Sequence, residues 1–316
     1  MTDTAWASPD GPGAPRPEQL FCVRAADGTG LRAALWGAAG QAPPRGLALV
    51  LPGRAEFLEK VALGVGPLIA RGFAVASLDW RGQGRSDRLA VPRAKGHVTD
   101  FHDYVRDLEA LVAAPELAGL GPPRLVLGHS MGGLIAVMAT AEGRIRVPLL
   151  LSAPMFGIVV APAARRFAGG LGWLAERVAL GALWPPVPGV RRPYPLSTSF
   201  GENLLTGDRE AWDWMVTVLR RDPALGIGFP TLGWLRAAER AMLGLGGMGA
   251  LGVPGMAFYG SAEQVVSPQA VEAVSARLGF GAVRLEGARH EPLIDLAEHR
   301  AAAWAAADRF FAGAGI

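Results

Sequence analysis

Cysteine, lysine and long apolar runs are scarce in this 316-residue chain. The one cysteine, Cys22, cannot form an internal disulfide, and such usage fits a reducing, cytoplasmic compartment. Lys60 and Lys95 are the only lysines, so arginine supplies nearly all the positive charge behind a net +3. The arginines are dispersed, with pairs at Arg165-Arg166, Arg191-Arg192 and Arg220-Arg221. That density is too low for nucleic-acid binding. It fits either a solvated surface or a mildly cationic face for anionic headgroups, peripheral to the inner membrane face. No apolar run reaches the ~18 residues of a membrane-spanning helix. Residues 1–19, rich in Pro and Gly, have neither the basic start nor the apolar stretch of a signal peptide and are expected as a mobile leader. No fixed-period repeat is visible, which argues against a solenoid.

Apolar residues make up half of the chain and charged residues 19%, enough for one large domain or a core plus an insertion. Leu20–Arg24 and Leu31–Trp36 flank the turn AADGTG as a hairpin. The compact runs Gly46–Gly53 and FAVASL, from Phe73, suit strands buried on both faces. Glu56–Ala70 is expected as a helix. So is Asp100–Ala114, with Asp100 as N-cap and Phe101, Tyr104, Val105, Leu108, Leu111 and Val112 on one face. RLVLGH, from Arg124, then Val147–Ala153, VPGMAFYG and AVRLEG supply later strands, and a last helix runs from about Pro292 to Phe311. This alternation predicts an α/β fold, a mostly parallel twisted sheet with helices on both faces. It is interrupted over residues 154–252, where helical stretches and Trp173, Trp184, Trp212, Trp214 and Trp234 predict a helical cap. The expected organisation is thus a leader (1–19), a core (20–153 and 253–316) and a cap (154–252).

Gly128-His129-Ser130-Met131-Gly132 fits G-x-S-x-G. The pentapeptide recurs by chance, but a strand before it, a helix after it and a further glycine, Gly133, make it a nucleophile turn. Such a turn pushes the serine hydroxyl out of the sheet edge, where the Met131 amide can donate to an oxyanion. Serine needs a base. Of the five histidines, His290 lies in a loop after a late strand, where groups collect at the carboxyl ends of parallel strands. His129 is expected to be structural, and His299 solvated. The orienting carboxylate comes from the loop SAEQVVS, whose first acid is Glu263. The order Ser130, Glu263, His290 matches the hydrolase order Ser, acid, His. A second oxyanion amide is expected at Arg54, after Gly53; its side chain faces either solvent or a substrate headgroup. Asp79 and Arg81 read as structural. No metal-ligand spacing or dinucleotide loop is present, so no cofactor or metal is expected.

The stretches LPGRAEFLEK, LDWRGQGRSD, GHSMGG, GSAEQVVS and GARHEPLID resemble successive signatures of the α/β-hydrolase superfamily, in its lysophospholipase and monoacylglycerol lipase branch. The resemblance covers about residues 20 to 314. It implies an α/β-hydrolase fold, a triad of Ser130, Glu263 and His290, and an oxyanion hole of the Arg54 and Met131 amides. It also implies a serine esterase acting on single-chain lipid esters through an acyl-enzyme on Ser130. Two departures stand out: Glu263 where Asp is usual, and Pro52-Gly53 where His-Gly is common. Rival readings are a small-ester esterase, an aminopeptidase, an acyltransferase or a non-catalytic binding protein. Acyl-chain length, headgroup and oligomeric state are left open.

Overall fold

The computed structural model describes residues 5–7, 14–37, 44–159, 180–186 and 189–316. Its strands are β1 Gln19–Arg24, β2 Gly30–Trp36, β3 Gly46–Leu51, β4 Phe73–Leu78, β5 Pro123–His129, β6 Leu149–Ser152, β7 Gly255–Gly260 and β8 Gly281–Leu285. They form one sheet in the order β1-β2-β4-β3-β5-β6-β7-β8. The hairpin pair and the β2–β4 pair are antiparallel, and every pairing from β4 to β8 is parallel. The main helices are α1 Leu58–Ala70, α2 His102–Val112, α3 Met131–Ala141, α4 Arg209–Arg221, α5 Leu232–Gly244, α6 Pro268–Leu278 and α7 Ala297–Ala314.

The central strands read as unbroken apolar runs because both faces of the sheet are covered. Side chains alternate along a strand. On β3, Leu47, Leu49 and Leu51 therefore join the core under α2, α3 and α6, while Ala48 and Val50 join the core under α1 and α7. Leu149 and Leu151 of β6 point one way and Leu150 the other. A third apolar cluster joins α4, through Trp212, Trp214, Met215 and Val218, to Phe57 and Ile294.

Two local expectations shift. Helix α2 starts at His102 with Phe101 at the N-cap, so Asp100 lies one residue earlier than expected. Its carboxylate still accepts the His102 amide at 3.0 Å, serving one of the first-turn donors from outside the helix. Val112, expected on the buried face, is 37% exposed, although Leu111 before it and Ala114 after it are buried in the core. Of the segment expected as a leader, the described residues touch the core. Trp6 meets Trp36 edge-on at 6.5 Å, and the Trp36 indole donates to the Pro15 carbonyl at 3.0 Å. Between β6 and β7 the described residues contain α4, α5 and short turns, and their one β contact is an isolated bridge from Ile158 to Val266. Trp173 and the pair Arg165-Arg166 lie outside the described residues. No helix among the described residues is long and apolar enough to cross a membrane.

Buried ion pairs lock the strand–helix junctions. Arg32 of β2 donates to Asp79 at 2.7 Å and grips both oxygens of Glu59 at 2.9 and 2.7 Å, with all three side chains fully buried. Asp79 also accepts the amides of Leu58 and Arg85, each at 2.8 Å, and so caps α1 from across the sheet. Arg81 holds Asp107 of α2 in the same manner, through Nε at 2.9 Å and Nη2 at 2.7 Å. Removing one partner leaves a buried charge without compensation. We expect Arg32→Met to lower stability by about 3–5 kcal/mol, read as a lower urea midpoint at unchanged m-value; an unchanged midpoint would show that Glu59 and Asp79 tolerate burial without the cation.

Candidate active site

The chain leaves β5 at His129 and enters α3 at Met131, so Ser130 alone makes the turn. Its φ of 49° and ψ of −115° lie in a region that side chains rarely adopt. The surroundings enforce it. A Cβ on Gly132 would lie 2.1 Å from the Leu51 carbonyl oxygen, and one on Gly128 would lie 2.8 Å from the Gly133 Cα. Only hydrogen fits at either place, which is the physical content of the two glycines in the motif. The Ser130 amide donates to the Ser152 carbonyl at 2.9 Å, and the Ser130 carbonyl accepts the Met155 amide at 2.9 Å. The turn is thereby fastened to β6 on the side away from β3.

The structure brings Ser130, His290 and Glu263 together. His290 Nε2 lies 3.2 Å from Ser130 Oγ, and Nδ1 lies 2.8 Å from Glu263 Oε2. A carboxylate can only accept, so Nδ1 carries the proton and Nε2 is left to receive the serine hydroxyl. Burial alone would raise the Glu263 carboxyl. The hydrogen bond and charge of His290, together with the amides of Val265 at 2.7 Å and Val266 at 3.2 Å, hold it below the usual range instead. The extra methylene of Glu relative to Asp thus spans from its own turn to the imidazole. His290, 4% exposed, sits in a loop clamped from below. Asp295 accepts the Arg289 amide at 2.8 Å, and the Arg289 guanidinium donates to the carbonyls of Asn203 and Thr206 at 2.9 and 3.0 Å.

The loop after β3 lies against the serine: a Cβ on Gly53 would be 3.2 Å from Ser130 Cβ. The amides on either side of Arg54 are committed, Gly53 N–H to Glu56 Oε2 and Ala55 N–H to Gln83 Oε1 at 2.6 Å. The Arg54 amide has no acceptor among the described residues. At the start of α3 the Met131 amide has no intrahelical partner. The amides of Arg54 and Met131, the two expected donors, are thus left without an acceptor among the described residues, the first on the loop against Ser130 and the second directly after it. The Arg54 side chain turns neither to open solvent nor to a carboxylate; it donates to the Gly228 carbonyl at 2.9 Å.

Glu56, Lys60, Glu291 and Asp295 also belong to the site, although the sequence alone assigns none of them a role. Lys60 Nζ bridges Glu56 Oε1 at 2.9 Å and Glu291 Oε1 at 2.5 Å, which ties the Gly53 loop to the residue following His290. Burial would raise Glu56, but the Lys60 charge outweighs it and brings the carboxyl down to about 2. Burial keeps Glu291 above its usual value. Donor atoms of Glu56, His129 and Glu291 lie within 4.8 Å of one another. As a metal site this set fits poorly, because the Lys60 ammonium already bonds both carboxylates. The i,i+4 spacing of Glu56 and Lys60, and the place of all four residues inside LPGRAEFLEK and GARHEPLID, are the signals in the sequence that could have pointed here. His299, expected in solvent, instead lies with Nδ1 3.1 Å from Asp295 Oδ2, at ion-pair distance but without hydrogen-bond geometry.

His129 turns away from Ser130 Oγ. Its Nδ1 donates to the Ser152 carbonyl at 3.1 Å, and its ring lies 4.9 Å from that of His290. Burial, aided by repulsion from His290 and Lys60, lowers it to about 4 against attraction from Glu56 and Glu263. A folded value below the unfolded one means that the unfolded chain takes up the proton first. The contribution is intact above pH 6.5 and is lost as pH falls toward 4. Between pH 7.5 and pH 5 this group should cost about 2 kcal/mol. His129→Gln should therefore lose less stability than the wild type over that interval in urea melts at the two pH values; equal losses would contradict the burial effect.

A family model described as "Serine aminopeptidase, S33" (Hydrolase_4) matches residues 42–297. Lysophospholipase L2 of Escherichia coli strain K12 is 32% identical over 209 residues, covering 63% of this chain. The chain spans 58% of that relative's length. Among solved structures, a soluble variant of monoglyceride lipase from Saccharomyces cerevisiae superimposes with a TM-score of 0.74 at 16% identity, covering 95% of this chain and 97% of that one. A monoacylglycerol lipase from Paleococcus ferrophilus gives 0.69 at 19% identity, over 89% of this chain and 98% of its own. The structural likenesses bear on the fold alone. The family match takes in most of the sheet together with Ser130, Glu263 and His290, and on that ground the chain belongs to the serine aminopeptidase S33 family of α/β-hydrolases.

Proposed function

We propose that the protein is a serine ester hydrolase acting on single-chain lipid esters, with Ser130 as nucleophile, His290 as base and Glu263 as its orienting acid. The reading rests on one observation, the continuous chain from Ser130 Oγ through His290 to Glu263, with contacts of 3.2 and 2.8 Å. In the first step His290 Nε2 takes the Ser130 proton as Oγ attacks the ester carbonyl carbon. The Arg54 and Met131 amides hold the resulting oxyanion, and Glu263 stabilises the imidazolium. Collapse expels the alcohol, which receives the proton from His290 and leaves an acyl-serine. Water then attacks, giving its proton to His290, and the fatty acid departs as Ser130 is restored.

Residues 154–252 act in this reading as a cap that shelters the acyl chain. Trp212, Trp214 and Trp234 are buried and join the cap to the core, whereas Trp184 lies at its surface. Lys95 Nζ and the Arg191 guanidinium lie 5.3 and 5.8 Å from the Trp184 ring centroid, beside exposed Leu180, Leu183 and Phe229. That combination of aromatic, basic and apolar groups favours peripheral contact with a lipid surface. Co-sedimentation with anionic vesicles should fall in a Lys95→Glu, Arg191→Glu double variant; equal binding would remove this part of the reading.

The family description makes an aminopeptidase the natural second reading. A free α-amino group is a cation and wants an uncommitted carboxylate nearby. Glu263 is held by His290 and Glu56 by Lys60 and the Gly53 amide, which favours the ester, while Glu291 bonds the same ammonium through Oε1 and leaves Oε2 without a partner. Hydrolysis of monoacylglycerols, lysophospholipids and aminoacyl anilides, side by side, separates the two. A fluorophosphonate probe should label the wild type and not Ser130→Ala; labelling that survives the substitution would end the serine reading. Glu263→Gln should keep the urea midpoint near that of the wild type while lowering turnover by ~10³–10⁴.

A further inference from the structure

Arginines drawn in from solvent, Arg32 and Arg81 fully and Arg54 and Arg88 partly, differ in their partners. Arg32 and Arg81 each meet two carboxylates, and Arg88 donates to the carbonyls of Gly82, Gly84 and Ala224. Arg54 meets no carboxylate and only one carbonyl among the described residues. Of its five N–H groups, one on Nη2 reaches the Gly228 carbonyl at 2.9 Å. Nε is buried without an acceptor, and Nη1 has none among the described residues. The guanidinium carbon sits 5.0 Å from the centroid of the Trp234 ring. That ring is fixed by its indole N–H, which donates to the Tyr104 hydroxyl at 3.2 Å. No carboxylate among the described residues compensates the charge, and burial lowers Arg54 to about 10. A guanidinium held against an aromatic face with N–H groups to spare is built to receive planar, bidentate anions such as phosphate.

Its place in the chain gives the anion an address. Gly53 touches Ser130, and the Arg54 amide that follows is the donor for the ester oxyanion in the reaction proposed above. An extended arginine reaches roughly 6–7 Å from Cα to its guanidinium carbon, with bonds of about 1.5 Å each. In a lysophospholipid the ester carbonyl carbon and the phosphorus are separated by six bonds, a similar span. We propose that the Arg54 side chain is the headgroup site of this enzyme, binding the phosphate of a single-chain phospholipid while the amide of the same residue faces the scissile carbonyl. The proposal rests on the ester-hydrolase reading for its substrate and on the uncompensated guanidinium for its charge.

Two measurements test it. The first compares kcat/KM for a lysophospholipid and a monoacylglycerol of equal acyl chain in the wild type, Arg54→Lys and Arg54→Met. Arg54→Met should lower the lysophospholipid-to-monoacylglycerol ratio by about 10–100-fold, the weight of a charge-assisted hydrogen-bond pair. Arg54→Lys should restore part of it. A side chain that only ties the Gly53 loop to Gly228 would lower both rates together, and an unchanged ratio overturns the proposal. The second needs no turnover: calorimetric binding of dodecyl phosphate, dodecanol and inorganic phosphate to Ser130→Ala protein, with and without Arg54→Met. Tighter binding of dodecyl phosphate than of dodecanol, lost with Arg54→Met, supports the site. Inorganic phosphate binding as tightly as dodecyl phosphate would make this a free-phosphate site and overturn the headgroup assignment. If neither ester is hydrolysed by the wild type, yet dodecyl phosphate binding depends on Arg54, the hydrolase reading fails and the anion site stands.

Discussion

The turn at Ser130 is the constraint on which the other contacts depend. Forcing a serine to φ 49° costs about 1–3 kcal/mol, and it persists because α3 is pressed onto the end of β3 with no space for a side chain at Gly132. That pressure brings the Gly53–Arg54 loop beside the serine and leaves the first amides of α3 pointing outward. The same parallel arrangement puts the ends of β7 and β8 next to β5 and β6. Loops carrying Glu263 and His290 then need only short excursions to meet Ser130. Their mutual contact is tight: the Ser261 amide donates to the Leu285 carbonyl at 2.8 Å and the Ala262 amide to Ala288 at 3.0 Å.

Buried charge performs the fine positioning. Ion pairs out of water gain little net stability, because desolvation offsets most of their attraction, but they resist displacement strongly. Arg32, Glu59 and Asp79 fix where α1 begins relative to β2 and β4. At the very next position of α1, Lys60 joins Glu56 to Glu291. Glu56 also accepts the Gly53 amide, so one ammonium links the loop beside the serine to the loop that carries the imidazole. The two sides of the reaction centre cannot separate without breaking this link.

The fold was legible because its strands are buried on both faces, which writes them as compact apolar runs such as GLALVL and FAVASL with glycine or charge at their ends. The residues of the candidate triad were legible for a different reason: strand–serine–helix and strand–loop–histidine patterns are local, and chain order links them. What stayed hidden is non-local. Nothing in the sequence around Lys60 says that Glu291, 231 residues on, will share its ammonium. Likewise Asp295 looks like any helix-start acid until it is seen to accept amides from Gly207, Arg289 and Leu296. The Arg54 side chain, undecided between solvent and substrate on sequence grounds, depended on Trp234 and Gly228, both far along the chain.

The pattern of committed and uncommitted charge also bears on what the site favours. Around Ser130, Glu263 is bound to His290, Glu56 and Glu291 to Lys60, and Asp79 to Arg32. Each of these carboxylates already bonds a partner, with Glu56 and Glu291 sharing the one Lys60 ammonium and Glu263 bound to a neutral imidazole, and a cationic ligand arriving there would compete with those bonds. The Arg54 guanidinium has no carboxylate partner among the described residues, and it lies partly buried, where its field is screened less than at an open surface. A ligand bearing a phosphate a few bonds from its ester would gain an interaction that a neutral ester lacks, without disturbing the pairs that hold the loops together. Discrimination would then arise from a single side chain on the loop that also supplies an oxyanion amide, so headgroup and carbonyl would be registered against each other by one residue rather than by the mobile fit of a whole pocket.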